Sequence, residues 1–441
     1  MPYREDPTLG GEMQSKAGIF RRVASPLRGL QSLRTAALRI LRAGALWGPG
    51  ILVMLADCDA GNVVTAAQSG ARWGVRLLPM LIILIAPLYM VQELSVRLGI
   101  FTGEGHGELV RKRFGPVWAW IAALGLVVSV IGSLVTEFTG VAGVGEMYGV
   151  SRNTTLPLAV FLLLGIVLTG SHKRVDRIAL LIGAFELLFF AVAWHAHPDV
   201  NVLARQLRDL PFAHPQFAWL AVALIGATFN PWMVFYQQAA VADRKLSVRD
   251  YRSARNETAV GAVLTQLLTA AILLAAASTL GSAGNHQGLQ SVGQISASLS
   301  GVVGPEAGRL LFGAGVLGAS LVAAIVCSLA LAWGLGGVAG FSRSLDDRPL
   351  HAPWFYGGYA AAVAGSAFIV WLVPDLVTLN VTAQVANAVM LPLVFGLLIA
   401  LANVALPRSH RPRRPYLFLM SLITAGLSIA GIAGIVVAFS G

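Results

Sequence analysis

The segment Asp57-Cys58-Asp59-Ala60-Gly61-Asn62 interrupts a long apolar run. A carboxylate set deep in such a run costs at least about 2.5 kcal/mol, even on a lenient membrane-insertion scale. It persists where it faces a cavity, an ion or a partner. Asp59 offers carboxylate oxygens, and Asn62, three residues on, offers an amide oxygen. Gly61 between them is expected to let the backbone leave helical geometry and free its carbonyls. Carboxylate, amide and carbonyl oxygens are hard ligands, suited to Mg²⁺, Ca²⁺ or Mn²⁺. The competing reading is a helix end at which Asp59 and Asn62 cap the following segment. Asp57 is assigned to an interface or a cap, and Cys58 to small-residue packing.

A second interruption is Gly226-Ala227-Thr228-Phe229-Asn230-Pro231-Trp232. Pro231 removes a backbone donor and disrupts the helix upstream. The carbonyls of Ala227 and its neighbours are then open to a cation or its water, and Asn230 adds an amide oxygen. The competing reading is an ordinary proline kink. Of the other acids in apolar runs, Glu137 lines an exit path or is a hydrogen-bonded structural residue, and Glu186 is structural. Trp232 is a pore-lining or packing aromatic. His195, His197 and His214 are expected in a solvated loop. Two cysteines, Cys58 and Cys327, are too few for a disulfide framework or a thiolate cluster.

The elements that must position these groups are transmembrane helices. The 441 residues are 56% hydrophobic and 12% charged, about half the charge of a soluble globular chain. Eleven apolar runs of roughly 20 residues, the length that crosses a bilayer, centre near Val53, Leu84, Leu126, Leu163, Leu188, Val222, Leu267, Val322, Ala362, Leu391 and Ile429. The net charge of +11 lies in a tail and in loops. Nucleic-acid binding is therefore excluded, and the charge sets orientation. With a cytosolic N-terminus, 26 of the 32 Lys and Arg fall on the inside, and the C-terminus is extracellular. Residues 1–43 form a basic cytosolic tail with no cleavable signal. It reads either as a disordered start with a short amphipathic surface helix or as a flexible tail. Residues 44–405 form a core of two five-helix halves, about 44–198 and 215–405, and residues 406–441 add a loop and an eleventh helix. The interrupted helices are the first of each half. That pairing points to a midplane binding site in an inverted repeat.

Several short motifs resemble the NRAMP family of divalent metal transporters. Gly48-Pro49-Gly50, Asp59-Ala60-Gly61-Asn62 and Gln68-Ser69-Gly70-Ala71 are similar to its first helix, with GPG and DPGN signatures. Arg97-Leu98-Gly99-Ile100, Thr102-Gly103 and Glu108-Leu109 follow the same pattern. Gly226-Ala227-Thr228 to Pro231 resembles the sixth-helix GATxMPH, and Thr382-Ala383-Gln384-Val385 the tenth-helix SQVV. The resemblance runs from about residue 44 to the eleventh helix. It implies a LeuT-type fold, 5+5 inverted repeats with helices 1 and 6 broken, and alternating access in a cell membrane. It implies metal ligands at Asp59, Asn62, the Ala227 carbonyl and, at the family's Met position, Asn230. Gln384 would approach the ion, with Gly61, Thr228, Pro231, Trp232, Gln237 and Glu137 around it.

The departures carry chemistry. A thioether helps transition metals compete against hard cations, whereas Asn230 is a hard neutral ligand. Mg²⁺ usually keeps several waters in its site. The expectation is therefore Mg²⁺ transport, with Mn²⁺ accepted, like the NRAMP-related magnesium branch. The metal is cargo, and no cofactor is expected. The family's sixth-helix histidines fall at Trp232 and Gln237, its third-helix TDxxE becomes Thr136-Glu137-Phe138-Thr139-Gly140, and the ninth span lacks a basic residue. Weak or absent proton coupling follows. The alternatives are a proton-coupled Mn²⁺/Fe²⁺ importer of the ordinary kind and an amine or amino-acid symporter on the same fold. Enzyme motifs for zinc, nucleophile elbows or phosphate loops are absent from the sequence. The compact chain and short loops suggest a bacterial source.

Overall fold

The computed structural model describes residues 48–195, 205–206, 210–211, 214–279, 289, 291–341, 344–345 and 349–440. The basic tail and His197 lie outside them. All regular structure among the described residues is helical. The chain opens with α1 (Pro49–Leu55), α2 (Ala60–Trp73), α3 (Leu78–Thr102), α4 (His106–Phe114), α5 (Pro116–Met147) and α6 (Arg152–Val167). Next come α7 (His172–Gly183), a 3-10 turn (Ala184–Leu187) and α8 (Leu188–His195). The second part holds α9 (Pro215–Thr228), α10 (Pro231–Asp243), α11 (Tyr251–Thr279), α12 (Val292–Val303) and α13 (Pro305–Ala339). It closes with α14 (Pro353–Leu372), α15 (Leu376–Val404) and α16 (Arg414–Ser440).

Local chemistry sets the ends. Proline stands in the first turn of α1, α5, α9, α10, α13 and α14, where its missing N–H would have no helical partner anyway. Gly103 and Gly340 close α3 and α13 in left-handed geometry, which costs glycine no Cβ clash. Between these ends the sequences are apolar. Nine described spans are long and apolar enough to cross a membrane, α1 and α2 make a further candidate bent by 45°, and α6 is a shorter apolar helix. Each of the eleven centres expected from sequence falls within one of these segments.

The interrupted helices occupy the middle of the bundle. Every residue of α1 is buried, as is α2 through Ala71 and α10 through Val241. α11 packs against α1, α2 and α3, while α15 packs against α5 and α9. α13 lies along α5. Outer faces carry exposed side chains such as Phe161 and Phe418, the pattern of a surface solvated by hydrocarbon.

A candidate cation site at two helix breaks

The α1–α2 link carries Asp57 and Asp59, both fully buried. Asp59 is the N-cap of α2: its Oδ1 accepts the Asn62 N–H at 2.7 Å. The capping and ligand readings are compatible, because Oδ2 turns the other way, 3.4 Å from Asn230 Nδ2. Asn62 lies in the first turn of α2 and donates through Nδ2 to the carbonyl oxygens of Asp57 and, at 3.0 Å, Ala227. Its own Oδ1 is buried without a partner.

Two expectations need correction here. Gly61 is helical, so the break occurs before it, at Ala56–Asp59. Its smallness serves a different purpose, because a Cβ there would overlap the Gln384 amide. Asp57 is neither interfacial nor a cap. It is buried within the break, with the Thr265 hydroxyl 3.4 Å from Oδ2 and Asn230 Nδ2 3.5 Å from Oδ1.

The second break falls at Phe229 and Asn230, where φ and ψ leave the helical region. Pro231 starts α10 rather than kinking a continuous helix. Asn230 holds the N-cap position without capping. Its Nδ2 donates to the Ala227 carbonyl at 2.9 Å, and its Oδ1 accepts from Asn387 Nδ2 at 2.8 Å and the Ser133 hydroxyl at 3.3 Å. Ser133 also accepts the Trp232 indole N–H at 2.9 Å, so Trp232 is buried and hydrogen-bonded one residue beyond Pro231. Thr228 accepts from Gln266 at 3.2 Å. Gln384 accepts from Asn387 at 3.2 Å and leaves its Nε2 unpartnered; Gln237 is buried with neither amide atom bonded. Glu137 accepts the Ala60 N–H at 3.1 Å, so it packs on the N-terminus of α2.

Thus Asp59, Asn62, Ala227 and Asn230 converge from two chain segments more than 160 residues apart. The amide N–H groups of Asn62 and Asn230 address the oxygens of Asp57, Asp59 and Ala227. Those are the oxygens that a cation would take, so the N–H dipoles supply the positive ends. Turning both amides about their side-chain bonds would present oxygens at the same point. Among the described residues no Lys, Arg or His forms an ion pair with Asp57, Asp59, Glu137 or Glu186. Nor do three His, Cys, Asp or Glu side chains gather as a metal-holding group. The chemistry available is that of hard oxygen ligands with amides and carbonyls in the majority.

Sequence reasoning did not identify Asn387, Ser133 or Thr265. A signal existed: Asn380, Gln384 and Asn387 follow helical spacing on apolar α15, as do Ser129, Ser133 and Thr136 on α5, and all are buried. Position 140, where the family pattern carries an acid, has no room for one. A Cβ there would overlap Ala60 and the Ser320 hydroxyl. His214 is exposed, as expected, and its ring also lies edge-on against Trp73 with centroids 4.9 Å apart. A cleft of about 310 Å³ reaches in from the Trp73 end of α2, between Gln68, Arg72, Trp219, Thr378 and Val381. Val381 is one helical turn from Gln384, so the cleft points towards the breaks.

Residues 50–437 match the family described as natural resistance-associated macrophage protein-like, Nramp. The chain belongs to the Nramp family. A divalent metal cation transporter MntH of Yersinia pestis is 28% identical over 308 residues, covering 65% of this chain and 71% of the relative. MntH 1 of Pseudomonas aeruginosa is 31% identical over 300 residues, covering 63% and 66%. Among solved structures, the Eremococcus coleocola manganese transporter superposes with a TM-score of 0.70 at 18% identity, over 90% of this chain and 87% of that one. A Na⁺-coupled sialic acid symporter superposes with a TM-score of 0.56 at 15% identity, over 88% of this chain and 89% of that one. The Nramp chain is thus a multi-pass membrane protein with the LeuT-like architecture, its regular structure helical among the described residues.

Proposed function

We propose that this Nramp protein moves divalent metal cations across a membrane by alternating access, with Mn²⁺ as cargo. The observation that carries the reading is the convergence of Asp59, Asn62, the Ala227 carbonyl and Asn230 at two facing helix breaks, with no basic residue among the described ones paired to the acids. The names of the relatives, metal cation and manganese transporters, support the choice of ion. In this reading Asp59 attracts the ion and Asn62 and Asn230 turn their oxygens inward. Ala227 contributes a carbonyl whose helical partner is lost at the break. Gln384, Thr228, Gln237 and Trp232 form the surrounding wall, and proton coupling of the ordinary Nramp kind accompanies transport. We assign eleven spans as two inverted five-helix halves (44–198 and 215–405) plus α16, with a cytosolic N-terminus. The even placement of eleven apolar segments and the positive-inside bias support that arrangement.

One observation favours a second reading, Mg²⁺ transport with weak or no proton coupling. Position 230 is an amide held by Asn387 and Ser133, not a thioether, and hard ligands do not select transition metals. Flux into proteoliposomes of purified protein, with internal pH recorded, decides between them. Mn²⁺ entry with internal acidification supports the first reading, and Mg²⁺ entry without acidification the second. Asp59→Ala is expected to abolish either flux in folded protein. Normal flux in that variant would remove Asp59 from the site.

A further inference from the structure

Helices α5, α13 and α14 enclose a lateral groove of about 740 Å³. Its lining is apolar: Trp120, Leu335, Phe341 and Trp354 form the walls, and Gly357 and Gly358 lie on its floor. Phe341 and Trp354 stack with ring centroids 5.4 Å apart and planes 14° from parallel. A Cβ at Gly357 or Gly358 would meet nothing within 4 Å, so the floor is open by composition. Trp120 and Trp354 are exposed at 55% and 69%.

A convex apolar face in a bilayer is covered by whatever lipid passes. A concave one is different, because an unfilled gap forfeits dispersion contacts along its whole lining. Hydrocarbon chains must therefore enter it. The two aromatic walls and the glycine floor shape a slot that runs along α13 from Ala332 to Ala339, about 10 Å at the helical rise. One end of the slot is charged. Arg111 donates through Nη1 to the Val338 carbonyl at 2.9 Å, beside Ala339. Its guanidinium also approaches Gly340, next to Phe341. Arg111 is exposed and has no carboxylate partner among the described residues. Lys112 faces Glu104 and Glu108 at 2.6 and 3.1 Å and so offsets the acids nearby, while exposed Arg113 adds a further positive charge. Basic pockets at the ends of membrane helices suit anionic headgroups, and the guanidinium fork suits a phosphate.

We propose that this groove is a binding site for an anionic phospholipid, with an acyl chain against Gly357 and Gly358 and the phosphate on Arg111. None of the groove's lining residues belongs to the two helix breaks. Its occupant braces α14 against α5 and α13, the helices that also carry Glu137 and Ser320 beside the first break.

The test uses full-length protein in phosphatidylcholine vesicles containing brominated phosphatidylglycerol or brominated phosphatidylcholine. The readout is the tryptophan emission that disappears in Trp354→Phe. Brominated phosphatidylglycerol is expected to half-quench that emission at about fivefold lower mole fraction than brominated phosphatidylcholine, the preference one basic residue gives at a membrane surface. Arg111→Gln should equalise the two lipids, and Gly357→Leu with Gly358→Leu should reduce quenching by both. Equal half-quenching in the unsubstituted protein would mean ordinary lipid contact and would overturn the proposal. So would protection from both lipids together with cross-linking between copies, which would mean that a second copy fills the groove. Metal flux in the same vesicles reports the transport reading independently.

Discussion

Asn230 is the residue at which the candidate site departs most from a transition-metal site. Its oxygen is held by Asn387 and Ser133, and its nitrogen faces Ala227 and the two aspartates. Replacing it with Met supplies a soft thioether at the breaks. Asn230→Met is expected to raise the Mn²⁺-to-Mg²⁺ flux ratio in competition uptake, and an unchanged ratio would remove Asn230 from the ligand set. Asn387 acts one step back, by orienting the Asn230 amide. Second-layer partners of metal ligands are commonly worth 10- to 100-fold in metal affinity. Asn387→Leu should therefore raise the half-saturating metal concentration about tenfold, with the helix content unchanged by circular dichroism.

Helices α9 and α15 meet so closely that Gly226 is required between them: a Cβ at that position would overlap the Gln384 carbonyl. Overpacking of this sort costs roughly 1–3 kcal/mol. Gly226→Ala is expected to lower the melting temperature in detergent, whereas Gly357→Ala, with open space around it, should not. The short helix α4 makes a different prediction. His106 is buried against Gln238, 3.1 Å away, and against the Phe235 ring, and burial pushes its imidazole down from 6.5 to about 4. The unfolded chain binds the proton between those values and the folded chain does not. Stability is thus full above pH 6.5 and falls as pH drops through the window to about 4, by roughly 3 kcal/mol. Denaturation in detergent at pH 7 and pH 4.5 would show the loss. His106→Gln, which cannot take up the proton, should flatten the profile.

For the molecule as a whole, a divalent ion crossing the bilayer without a compensating counter-ion moves two charges through the field. Each charge gains about 2.3 kcal/mol per 100 mV. Uptake into proteoliposomes is accordingly expected to rise steeply when a valinomycin-driven potassium gradient makes the interior negative. Uptake indifferent to that potential would mean that the cation is exchanged for an equal charge. The LeuT-like arrangement suits such a cycle, because the cleft from the Trp73 end stops above Gln384 while the opposite ends of α1 and α10 are packed inside the bundle. Opening the other way requires those elements to move.

Hydrophobic periodicity on the scale of the bilayer determined the helices. Eleven apolar runs needed no tertiary information, because a backbone in hydrocarbon has little choice but to satisfy its own hydrogen bonds. The two breaks were legible as well, as Asp59 to Asn62 and Asn230-Pro231 stand out in apolar runs. Tertiary structure alone decided what faces them. That Asp57 is buried beside Asn230, and that Gly61 makes room for Gln384, depend on contacts across 170 residues or more. The absence of space for an acid at position 140 likewise depends on distant residues, Ala60 and Ser320. Residue type and local spacing specify a helix and its ends; which side chains meet is set by how the helices pack, and no local rule encodes that.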